Sequence, residues 1–161
     1  MRKTILIAIL VFLFFVLEFI LFDLFGRFFM PNLLLLLVIF ITLCYGVRFG
    51  LIAALLSGIM KDSFAASLFG IHVFSFIMFV YAAPIIKKHL YYASSTTSRL
   101  VLVLILTVLN VAINFFGELV FNPVSITQVF KFILFPQLLA TLLVTAFVFQ
   151  QLKICVSKFY V

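Results

Sequence analysis

Glu18, Asp23, Asp62 and Glu118 are the four acidic residues of the chain, and acid–base or metal chemistry would have to start from them. General acid–base work needs a second titratable group within hydrogen-bond reach, and a metal needs several converging ligands. Asp62 has no His, Cys or second carboxylate nearby in sequence, so it offers neither. His89 stands alone beside Lys87 and Lys88 and reads as an interfacial residue rather than a ligand. Cys44 and Cys155 lie in or at the end of apolar segments and read as packed thiols, not a disulfide framework. No glycine-rich phosphate loop, nucleophile elbow or zinc-protease motif occurs in the sequence. The residues argue against an enzyme and imply no cofactor and no metal.

What polar chemistry there is lies inside apolar runs. Glu18 interrupts the first of them, where an acid costs roughly 2.5 to 3.5 kcal/mol on insertion scales and calls for a function or a buried partner. Asn110, Asn114 and Glu118 recur at a spacing of four, with Thr107 nearby, and so share one helix face. Such a stripe must face protein or water, and it is expected to meet Glu18 or Asn32 across a bundle. That intramembrane cluster of Glu18, Asn110, Asn114 and Glu118 reads either as an outward-facing ligand pocket or docking site, or as a structural network between helices.

A second pattern is made of small residues. Gly46, Gly50, Ala54, Gly58 and Asp62 also recur every four positions, with Ala53 and Ser57 alongside. On a helix they make a smooth face that admits close backbone approach, which drives helix association where lipid gives no hydrophobic incentive. The face serves internal packing or docks another protein's helix. At its end Asp62 could pair with Lys61 or accept backbone hydrogen bonds at a following helix start, and Ser63 could cap that segment.

The elements that position these residues follow from composition. With 68% hydrophobic and 9% charged residues, 24 Phe and mean hydropathy +1.47, the chain is far from a soluble domain and reads as an integral membrane protein. Spans of about 20 residues leave no room for an extramembrane catalytic module. Apolar runs predict an all-α bundle of six transmembrane helices in a single domain over 1–161, at roughly 4–25, 31–46, 48–61, 70–87, 99–121 and 130–153. The first run is too long for a signal core and lacks a small-x-small cleavage site, so it reads as an uncleaved span.

The positive-inside rule decides between five and six spans. Six spans put eight basic residues inside (Arg2, Lys3, Arg48, Lys87, Lys88, Arg99, Lys153, Lys158) and three outside (Arg27, Lys61, Lys131). Five spans reverse the balance and bury Arg48. Both termini are therefore expected in the cytoplasm, with Pro84 and Pro136 inside spans. Lys87, Lys88 and Arg99 would then border a cytoplasmic loop against anionic lipid headgroups. The net charge of +7 is scattered over helix ends and makes no patch for nucleic acid.

The run "NLLLLLVIF" followed by "YGVRFGLIAALLSGIMKDSFAASLFGIHVFSF" resembles the rod shape-determining protein MreD family: a Pro-Asn start to the second helix, a glycine-rich third helix ending in Asp, a short polar loop, then "LFGIHVFSF". The resemblance covers the chain in length and layout and is carried mainly by residues 31–80. Lys61 departs from it, since many members are expected to have an apolar or small residue there. The resemblance implies a non-enzymatic scaffold or regulator of the elongation machinery in the bacterial cytoplasmic membrane. Such a protein works with MreC, and through it with MreB, RodA and a class B penicillin-binding transpeptidase, in support of peptidoglycan synthesis and rod shape. It also implies a fold similar to the substrate-binding subunits of energy-coupling-factor transporters. A subunit of such a vitamin transporter is the alternative reading, although the first helix lacks the small-residue stripe by which those subunits dock.

Overall fold

A computed structural model of the chain describes residues 2–26, 31–64, 70–90, 96–121, 139–141 and 143–145. Among them all regular structure is helical, in the order α1 (Arg2–Phe25), α2 (Leu33–Tyr45), α3 (Val47–Phe64), α4 (Ile71–Leu90) and α5 (Thr96–Phe121). Of the sixth run predicted at 130–153, only 139–141 and 143–145 are described, and these are helical.

α2 is apolar on every side, a pattern that suits either a protein core or a membrane span. It is buried without interruption from Leu33 to Thr42. The other helices wrap it and bury one stripe each. In α1 the buried side chains are Ile7, Val11 and Glu18, a single narrow seam. In α4 they are His72, Ser75, Phe76, Phe79, Val80 and Ala83, and in α5 Leu102, Val103, Leu106, Thr107, Asn110 and Val111. Both sets follow the three- and four-residue recurrence of one helix face. The opposite faces carry exposed Ile9, Phe12 and Phe19 on α1, and Phe74, Met78 and Ile85 on α4. Lys3–Leu24 and Ile71–Lys88 are long and apolar enough to cross a membrane, while Leu33–Tyr45 and Val101–Phe116 are shorter apolar helices. Within α4, Pro84 has no N–H for the carbonyl one turn back.

The turn between α2 and α3 is a single residue. Gly46 has φ +88°, a conformation that L side chains rarely adopt, and its N–H closes the end of α2 on the Thr42 carbonyl at 3.1 Å. Such a short connection folds α3 back antiparallel along α2, which brings the start of α2 to the end of α3. Close approach is enforced by glycine. A Cβ on Gly50 would run into the Thr42 side chain, and one on Gly58 would lie 2.6 Å from Val73 Cα. Gly50 thus seats α3 on α2, and Gly58 seats it on α4. Ala53, Ala54 and Ser57 are fully buried in the same face.

Candidate functional site

Because α2 and α3 are antiparallel, Asn32, Lys61 and Asp62 share one end of the bundle, where Glu18 of α1 and the first turn of α4 also arrive. Two polar centres are built there. In the first, the Lys61 ammonium donates to Glu18 Oε1 at 2.7 Å and to Asn32 Oδ1 at 2.8 Å. Glu18 Oε2 accepts from the Leu34 N–H and Asn32 Oδ1 from the Leu35 N–H, each at 3.2 Å. The first N–H groups of a helix have no partner within it, and a carboxylate beside them is favoured by the helix dipole. Here Glu18 and Asn32 supply those acceptors for α2, while Thr141 Oγ1 takes the Asn32 N–H at 3.2 Å. The Lys61 and Glu18 side chains are only 13% and 8% exposed, so the pair is a largely buried tie between α3 and α1.

The second centre is Asp62, buried at the end of α3. Its Oδ2 accepts from the Gly70 N–H at 3.0 Å and the Val73 N–H at 3.2 Å. Its Oδ1 accepts from the His72 N–H at 3.1 Å and faces His72 Nδ1 at 2.9 Å. Four donors fill the acceptor sites of one carboxylate. Asp62 therefore caps α4 from the neighbouring helix. The His72 ring stands edge-on to Phe76, and the Ser75 hydroxyl donates to the His72 carbonyl at 3.1 Å, which leaves it bonded to backbone rather than to the imidazole. An Asp–His pair does general-base work only with a nucleophile aligned on the second ring nitrogen. This one is occupied in holding a helix start.

Several expectations are corrected by this geometry. Of the two readings of Asp62, the acceptance of backbone hydrogen bonds at the following helix start is the one observed, and Lys61 and Asp62 do not pair: adjacent residues point about 100° apart on a helix, and each finds its partner on a different neighbour. Glu18 does not bond to the described members of the α5 stripe; its oxygens accept from Lys61 and the start of α2 instead. Within that stripe Thr107 donates to the Val103 carbonyl, Asn110 is fully buried with neither amide atom bonded, and Asn114 is half-buried. The side chain of Glu118 lies outside the described residues, as does that of Arg99. Gly46 leaves the small-residue face, being the exposed turn before α3. Gly50, Ala54, Gly58 and Asp62 are all buried against helices of the same chain. Lys87 and Lys88 are exposed near the end of α4.

Sequence reasoning missed the Glu18–Lys61 pair, the part of His72 and the contact with Thr141. A signal existed for the first. A lone acid and a lone base within apolar segments, each towards the same end of its helix, are least costly to bury as partners.

The fold and its polar centres define an all-helical protein with apolar outer faces, whose buried charges join helices and among whose described residues no group of side chains could hold a metal. A family model described as rod shape-determining protein MreD matches residues 1–160, and the chain belongs to that family. Membership gives it a role in determining rod shape. No curated protein and no solved structure matches the chain.

Proposed function

We propose that this chain is a non-enzymatic, multi-pass scaffold of the bacterial cytoplasmic membrane. It binds MreC and, through it, MreB, RodA and a class B penicillin-binding transpeptidase, and so supports peptidoglycan synthesis where the cell elongates. The observation that carries the reading is the family match over residues 1–160. Its support from geometry is that the buried acidic groups of the described bundle are engaged by other helices of the chain: Glu18 by Lys61 and α2, Asp62 by the start of α4. Side chains so engaged position helices and leave little for turnover of a substrate. Large apolar residues exposed along α1 and α4 suit a lipid environment, since such surface is not left open to water in a monomeric soluble protein. In this reading six helices cross the membrane with both ends inside, and Asn32, Lys61 and Asp62 lie at the outer end.

Affinity purification in mild detergent from the native bacterium, with mass-spectrometric identification of what accompanies the chain, tests the reading. Recovery of MreC with wall synthases is the expected result. Recovery of a transmembrane coupling protein with paired ATPases, and no MreC, would overturn it.

A further inference from the structure

α4 is the one internal helix of the described chain that is long and apolar enough to cross a membrane, over the 18 residues Ile71–Lys88. Its outward side carries Phe74, Met78, Tyr81 and Ile85, which are 62%, 48%, 53% and 60% exposed. Their spacing of four, three and four is the seam by which one helix packs along another, knobs into holes. Aromatic residues and Met are also the types enriched where proteins meet.

Tyr81 sets this face apart. It lies about 2 Å along the helix from the midpoint of the span, at a rise of about 1.5 Å per residue. Tyrosine in membranes belongs at the interface, where its hydroxyl is wetted. Here the nearer end of the span, at Lys88, is about 10 Å away along the helix, too far for the hydroxyl to reach water by leaning. Yet the side chain points outward and makes no hydrogen bond among the described residues. The exposed face of α1 differs. Ile5, Ile9, Phe12, Leu13, Phe19 and Ile20 present only hydrocarbon, which lipid satisfies.

We propose that the Phe74–Met78–Tyr81–Ile85 face of α4 docks a membrane-spanning helix of a partner protein: an apolar helix carrying one hydrogen-bonding side chain level with Tyr81. The proposal rests on the scaffold reading and adds to it the docking surface and the chemistry of what docks. Apolar contacts along the seam fix the register of the partner, and the Tyr81 hydroxyl selects it, because an apolar environment offers that group no other partner.

The test is photo-crosslinking in living cells, with a benzophenone amino acid placed in turn at positions 74, 78, 81 and 85, and at 9 and 12 on α1 as controls. The expected result is an adduct, from the α4 positions and not from the controls, with a single-span membrane protein that affinity purification of the intact chain also recovers. Tyr81→Phe keeps the ring and removes the hydroxyl, and should lower the adduct yield from position 78 about threefold to tenfold while the chain still accumulates normally. An adduct of twice the chain's own mass, equal yields from α1, or no adduct from α4 would overturn the proposal. If purification still recovers the partner while α4 gives no adduct, the docking surface is wrong and the scaffold reading stands. If purification recovers no elongation partner, the reading itself fails.

Discussion

The bundle end where Glu18, Asn32, Lys61 and Asp62 meet joins several helices through its polar groups, whereas on the α5 stripe Thr107 bonds only within its own helix and the Asn110 side chain bonds to nothing, although Asn32 Nδ2 is unbonded too. At the bundle end the hydrogen-bonded groups come from residues 8 to 43 positions apart in sequence, and both carboxylates accept hydrogen bonds on each of their oxygens. On α5 the groups share a face of one helix, and Asn110 is buried with both polar atoms unbonded. Regular spacing along a helix says which residues face the same way. It does not say what they face. Polar groups became partners here because helix directions brought their ends together.

Removal of one member of the ion pair should have the largest effect. Lys61→Met leaves Glu18 as an uncompensated buried charge, and breaking such a pair costs roughly 3 to 5 kcal/mol. The variant should unfold at clearly lower temperature in detergent, as read by static light scattering or tryptophan-free circular dichroism. An unchanged transition would remove the pair from the account of stability. Asp62→Ala comes next, since it strips the start of α4 of its acceptors; loss of a cap alone costs up to about 2 kcal/mol. Hydrogen exchange should rise first at Gly70, His72 and Val73, and protection there equal to the parent's would count against the cap.

Gly58→Ala should destabilise by about 1 to 3 kcal/mol, because the added Cβ meets the backbone of α4 at Val73. Gly50→Ala should cost less, as its Cβ meets the Thr42 side chain first and comes no nearer than 3.2 Å to backbone. Equal losses would show that the two glycines do not seat different helices. The smallest effect is expected for Asn110→Leu. It removes two buried polar atoms that bond to nothing, so stability should be unchanged or raised. A loss comparable to that of Lys61→Met would reveal a partner for Asn110 and dissolve the contrast between the two regions.

The helical fold was legible in the apolar runs, and the close approach of α3 in the recurrence of Gly50, Ala54 and Gly58, because both are properties of single helices. The turn at Gly46 was less so. It fits the four-residue spacing of the small residues, and only its positive φ removes it from the helix. Glu18 was recognisable as a residue in need of a partner, but nothing along α1 says that the partner is Lys61, 43 residues away. For Asp62 the sequence offered both Lys61 and the N–H groups of the following helix start as partners, and adjacency on a helix, which keeps side chains apart, decides for the second. His72 gave no sign of its part, since its place is fixed by Asp62 reaching across from the preceding helix.

The central claim is that the charges at this end position helices rather than carry out chemistry or contact a partner directly. It is tested most directly by combining Glu18→Leu with Lys61→Met in the native bacterium and measuring cell length and width. Each single change should give rounded cells and a poorly accumulating protein. The pair, which removes both charges together and leaves apolar side chains in their place, should restore accumulation and rod shape in large part. A double variant that accumulates normally while the cells stay round would contradict the claim and make the ion pair itself part of the shape-determining function.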